Sequence, residues 1–126
     1  MRKGSSEYIR QLRRIAAGEI SPAAADRLLA IAVSEYVGIG FRCAEPPQEF
    51  IEEVVKALRV VEKEDYRAAM AVKLRFGKHT SRVLTFREVG RELGISDRRA
   101  REVCARGLEK LAYTLTKQRS WRLLGF

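Results

Sequence analysis

Three arginines fall within four residues at Arg98, Arg99 and Arg101, one intervening residue after the stretch "ELGIS". A guanidinium is a flat fork of N–H donors that never loses its charge near neutral pH. It matches acceptor pairs such as guanine O6 and N7, or the oxygens of a phosphate. Glu102 can accept from cytosine N4, and Ala105 is small enough to lie against a thymine methyl. Arg98, Arg101, Glu102 and Ala105 are therefore the base-contacting set expected from side-chain chemistry. Arg87, Arg91, Arg99 and Arg106, with the hydroxyls of Thr85 and Ser96, are spaced for phosphate contacts, which set affinity and register rather than sequence. The competing reading of such a run is a solvated helix face.

Other chemistries find less support. Cys43 and Cys104 are far apart, and the single histidine, His79, has no second ligand-type residue at metal spacing. Each cysteine reads as a small buried hydrophobe. There is no nucleophile–base pair and no glycine-rich phosphate loop; "GIGF" at Gly38 lacks the spacing and the following helix that a nucleotide site needs. The expectation is a protein that is not an enzyme and uses neither metal nor cofactor.

Holding an arginine cluster outward requires a helix whose other side is fixed, and the sequence writes one. Thr85 and Glu88 have the spacing of a capping box, opening a short helix that ends at Gly94. Ser96 then caps a second helix, with Asp97 in its first turn against the positive end of the dipole. Ala100, Val103, Cys104, Gly107, Leu108 and Leu111 follow steps of three and four and so share a buried face. Arg98, Glu102, Ala105 and Glu109 take the opposite face, with Arg101 and Arg106 on its flanks. Gly90 stands inside the first helix, where it costs about 1 kcal/mol relative to alanine. Close approach of the crossing helix is the expected reason. The pair as a whole fits the helix-turn-helix template, glycine in the turn.

Charge bias points the same way. The chain has 126 residues and a formal net charge of +9, yet residues 1–66 hold 10 basic and 11 acidic side chains, against 15 and 5 in residues 67–126. The whole basic excess belongs to the C-terminal half, as in nucleic-acid binders.

Upstream, everything periodic has a helix period. "SSEYIRQLRRIAAG" places Tyr8, Ile9, Leu12 and Ile15 on one side. "SPAAADRLLAIAVSEYVG" starts with Ser21 and Pro22, an N-cap followed by proline in the first turn. Gly38 to Pro47 breaks the pattern. "QEFIEEVVKALRVV" and "EDYRAAMAVKLRFG" follow as two more helices. The fold class is all-α, with an N-terminal helical arm over 1–46 and a helix-turn-helix domain over 47–126. Arg42 to Lys63 is open to assignment either as the end of the arm or as the start of the domain. The arm's amphipathic helices either pair with a second chain, giving a homodimer with half-sites about one helical turn apart, or fold onto the domain. No run approaches membrane-spanning length and no signal-type apolar segment follows the N-terminus, so the default compartment is the cytoplasm.

From about Val61 the chain resembles region four of bacterial sigma factors, over roughly half its length. "EDYRAAMAVKLRFG" is similar to the family helix that ends in arginine-phenylalanine-glycine. "LTFREVGRELGIS" resembles the family's threonine-leucine-glutamate-glutamate-valine-glycine segment, and "RAREVCARGLEKL" its recognition helix. The resemblance implies a domain that reads promoter DNA and docks on the β flap of RNA polymerase. Family base-reading positions fall on Asp97, Arg98, Arg101 and Glu102. Arg101 agrees with the family arginine, whereas Asp97 and Arg98 invert an arginine-glutamate pair and Glu102 replaces a glutamine, so the family's −35 consensus does not carry over.

Residues 1–60 show no resemblance to the sigma regions that melt DNA. The layout is similar to that of stand-alone region-four-like regulators of phages and prophages, among them late-gene activators and Q-type antiterminators. The expected function is thus a DNA-binding transcription regulator in contact with RNA polymerase. Trp121, Leu124 and Phe126 in the C-terminal "TLTKQRSWRLLGF" are the expected docking patch, unless that tail packs back on its own domain. The alternative is a small terminase-like DNA-packaging protein, although in that family the DNA-binding unit usually precedes the oligomerisation helices.

Overall fold

In the computed structural model, residues 19–37 and 46–118 are described. They form α1 (Pro22–Val37), α2 (Gln48–Glu64), α3 (Tyr66–Arg75), α4 (Phe86–Leu93) and α5 (Asp97–Gln118). The fold is all-α, and its one extended pairing among the described residues is an isolated bridge between Glu19 and Arg82. The helix expected over "SSEYIRQLRRIAAG", Cys43, and the docking patch of Trp121, Leu124 and Phe126 lie outside the described residues.

Helix ends fall where local chemistry puts them. The Ser21 hydroxyl accepts from the Ala24 N–H at 3.1 Å, ahead of Pro22. Between α2 and α3 a single residue, Asp65 (φ −150, ψ 80), breaks the helical path, and its carboxylate caps α3 by accepting from the Ala68 N–H. Two separate helices are what the sequence pattern leads one to expect on either side of this point. Asp65 both ends one helix and starts the next.

The longest helix, α5, packs against all four others. Its inner face carries Ala100, Val103, Cys104, Gly107 and Leu111, all buried, while Leu108 is only partly covered. Around it close Leu28, Leu29 and Val33 of α1, Phe50, Val54 and Val61 of α2, Ala68 and Val72 of α3, and Val89 of α4, all in one hydrophobic cluster. At Gly107 the crossing with α3 is so close that a Cβ would lie 2.7 Å from the Ala68 carbonyl oxygen and 2.5 Å from a Val72 methyl. Glycine is therefore required at that contact rather than merely tolerated.

The boundary expected at residues 46/47 does not follow the packing. α1 is a wall of the same core, and its entry is pinned to the α3–α4 loop: the Ile20 N–H donates to the Ser81 carbonyl at 2.9 Å, and Lys78 pairs with Asp26. Of the two fates open to the N-terminal half, α1 takes folding onto the domain. Its apolar face is used within the chain.

Candidate nucleic-acid interface

The geometry around the arginine cluster starts with two caps. Thr85 Oγ1 accepts from the Glu88 N–H at 3.1 Å while Glu88 Oε1 accepts from the Thr85 N–H at 2.9 Å, the reciprocal pair that fixes the start of α4. The hydrogen bond to the Thr85 amide leads the causes that hold the Glu88 carboxyl below its ordinary range. Its hydrogen bond to the Thr85 hydroxyl and the nearby Arg82 and Arg91 charges add to it, against an opposing push from burial. Nine residues after Thr85, Gly94 takes the left-handed conformation (φ 69, ψ 36) and stops the helix. The Ser96 hydroxyl then accepts from the Arg99 N–H at 3.1 Å and opens α5.

Gly90 fits its expected role in a modified form. A Cβ there would come within 2.6 Å of the Ile95 carbonyl oxygen and 3.0 Å of that of Ser96. What approaches is the backbone of the turn itself, not the body of the crossing helix. The Ile95 N–H also donates to the Gly90 carbonyl at 2.8 Å, so the turn is folded back onto α4.

With the inner face of α5 buried, Asp97, Arg98, Arg99, Arg101, Glu102 and Ala105 are all exposed on its outer side, and Arg87 and Arg91 are exposed on α4. Arg82, Arg87, Arg91, Arg98 and Arg101 form no ion pair among the described residues, unlike the body lysines Lys73 and Lys78, which pair with Glu62 and Asp26. Arg99 reaches Glu102 at 3.3 Å across an open surface, a contact of the kind that contributes little and exchanges readily. Thr85 and Ser96 use their oxygens as caps, and each hydroxyl keeps a hydrogen to donate.

Arg106 departs from expectation. Five residues beyond Arg101, it is turned about 140° around the helix, and its Nε donates to Asp65 at 2.9 Å. Lys110 meets the same carboxylate at 3.0 Å. Burial pushes the Asp65 carboxyl up, but the bonds from Lys110, the Ala68 N–H and Arg106 outweigh it and hold Asp65 below its ordinary value. Arg106 is thus tied into the fold through Asp65, although part of its side chain stays open to solvent. An aspartate directly before an apolar helical run is a cap signal in the sequence, but its two cationic partners, more than forty residues on, are visible only in the fold.

A second arrangement was also hidden in the sequence. The Phe86 ring has the Arg75 guanidinium 4.2 Å from its centroid and that of Arg101 at 5.2 Å. Arg75 also donates to the Leu84 carbonyl at 2.7 Å. Cys104 lies beneath this region, and burial pushes its thiol up to about 12 against a smaller opposing pull from Arg75, so it stays protonated and unreactive.

No protein-family model, curated protein or solved structure matches this chain. The resemblance to region four of sigma factors accordingly rests on the motifs quoted above. Among the described residues no helix is long and apolar enough to cross a membrane.

Proposed function

We propose that this chain is a sequence-specific transcription regulator that binds duplex DNA through α4 and α5 as a helix-turn-helix. The supporting observation is the disposition of α5: a helix locked by its inner face presents Arg98 and Arg101 to solvent in its first turns. A recognition helix uses the same disposition in the major groove. Arg98 and Arg101 read guanine edges, Glu102 and Ala105 discriminate neighbouring pairs, and Arg87, Arg91 and Arg99 hold phosphates. Contact with RNA polymerase belongs to the same reading and rests on the resemblance and on the apolar residues Trp121, Leu124 and Phe126.

Selection of bound fragments from random duplex DNA tests the reading. An enriched motif with at least one guanine whose preference disappears in Arg98→Ala or Arg101→Ala is the expected result, each change removing roughly 1–3 kcal/mol of discrimination. Enrichment of no motif at moderate salt would rule out sequence-specific binding. Co-purification with polymerase core, lost in Trp121→Ala, tests the second contact.

A further inference from the structure

Arg98 and Arg101 lie on the same helix one turn apart, yet their surroundings differ. Arg98 has no hydrogen bond, ion pair or ring contact among the described residues, whereas Arg101 lies over the Phe86 ring. That ring is itself fixed. Phe86 is the first residue of α4, directly after the Thr85 cap, and it is partly buried against the core. Arg75, tied by its bond to the Leu84 carbonyl, covers the ring from α3. One aromatic side chain thus joins α3, α4 and α5 at the root of the arginine cluster.

The consequence concerns order. An exposed arginine has many rotamers, and a bidentate contact to a base edge needs the guanidinium plane in one orientation. A cation held over an aromatic face loses much of that freedom before any ligand arrives, so less has to be lost on binding. On the proposed DNA-binding reading, we infer that Phe86 is a positioning residue. It pre-orients Arg101, making Arg101 the sharper base reader and leaving Arg98 to adapt to whatever pair it meets.

The test compares the wild-type chain with Phe86→Leu, Phe86→Tyr, Arg101→Ala and the Phe86→Leu/Arg101→Ala double variant in selection from random duplex DNA. Leucine keeps an apolar group at the core edge, and thermal unfolding with circular dichroism verifies the fold. Phe86→Leu is expected to flatten the same base position that Arg101→Ala flattens, on the order of two- to five-fold, with the other positions unchanged. Phe86→Tyr, which keeps the ring, should restore the preference, and Phe86→Leu should add nothing once Arg101 is alanine. In the free protein, 15N relaxation at Arg101 Nε should show greater motion in Phe86→Leu than in wild type, with Arg98 unaffected. Unchanged Arg101 motion, or an even loss of binding across all positions, overturns the inference while leaving the DNA-binding reading intact. A wild-type chain that enriches no motif removes both.

Discussion

At the residue scale, the positive side chains divide by what they face. Arg106 and Lys110 face a carboxylate inside the fold, while Arg82, Arg87, Arg91 and Arg98 face water. On the proposed DNA-binding reading, removing Arg91 should weaken binding about equally on all sequences and reduce the slope of log affinity against log salt by about one; binding measured across a salt series provides the check. Asp65 belongs to stability instead. Its folded carboxyl lies below the ordinary 3.8, so protonation favours the unfolded chain. The stabilisation is complete above that ordinary value and is lost as pH falls through the lower folded one. Denaturant midpoints followed from neutral to acid pH should drop there, and Asp65→Asn, which can still cap α3, should flatten that part of the profile. An identical acid limb in wild type and variant would remove Asp65 from the effect. Arg87, Arg91 and Arg98 were legible in the sequence because helix period assigns them a face, whereas Arg82 lies in the α3–α4 loop, where no period applies. For Arg106, period gives direction but not Asp65, the partner waiting there.

At the element scale, the α4–turn–α5 unit is where the sequence was most readable. Thr85 with Glu88, Gly94 and Ser96 are local signals, each satisfied within a few residues, so nothing distant can overrule them. Gly90 shows the limit of local reasoning. Helix propensity alone makes Gly90→Ala stabilising by about 1 kcal/mol, but the added carbon would meet turn backbone at 2.6 Å, and backbone cannot step aside as a flexible side chain can. The expected net effect is a loss of roughly 1–3 kcal/mol, measured as a lower denaturant midpoint. Gly94→Ala meets no neighbour within 4 Å, so only the cost of a left-handed residue remains, roughly 1–2 kcal/mol. If Gly90→Ala proved the more stable variant, the turn must sit farther from α4 than described. The α2–α3 junction was legible as a break between two helices but not to the residue, since Glu62 to Arg67 carries no glycine or proline to mark a stop.

At the scale of the whole molecule, α1 decides what counts as a unit. The break around Gly38 to Pro47 suggests a separable arm, because glycine and proline report a chain interruption but not which surface the chain returns to. Leu29, fully buried in the common cluster, makes the difference measurable. Leu29→Ala should destabilise the entire fold by roughly 2–5 kcal/mol, with circular dichroism and calorimetry reporting one coincident transition. Two separated transitions would restore the arm as an independent piece. The same economy shapes α5, which begins at the arginine turn and runs unbroken to Gln118, where the amide donates to Glu53 at 2.7 Å. Its 22 residues span about 33 Å, close to the roughly 34 Å of one turn of B-form duplex. A rod of that length, gripped along its side by four neighbours, works as a gauge. On the proposed DNA-binding reading, a partner seated past the far end of this rod would be held a set stride from any base pair met by Arg98, so shifting its site by a few base pairs should force one of the two grips to let go.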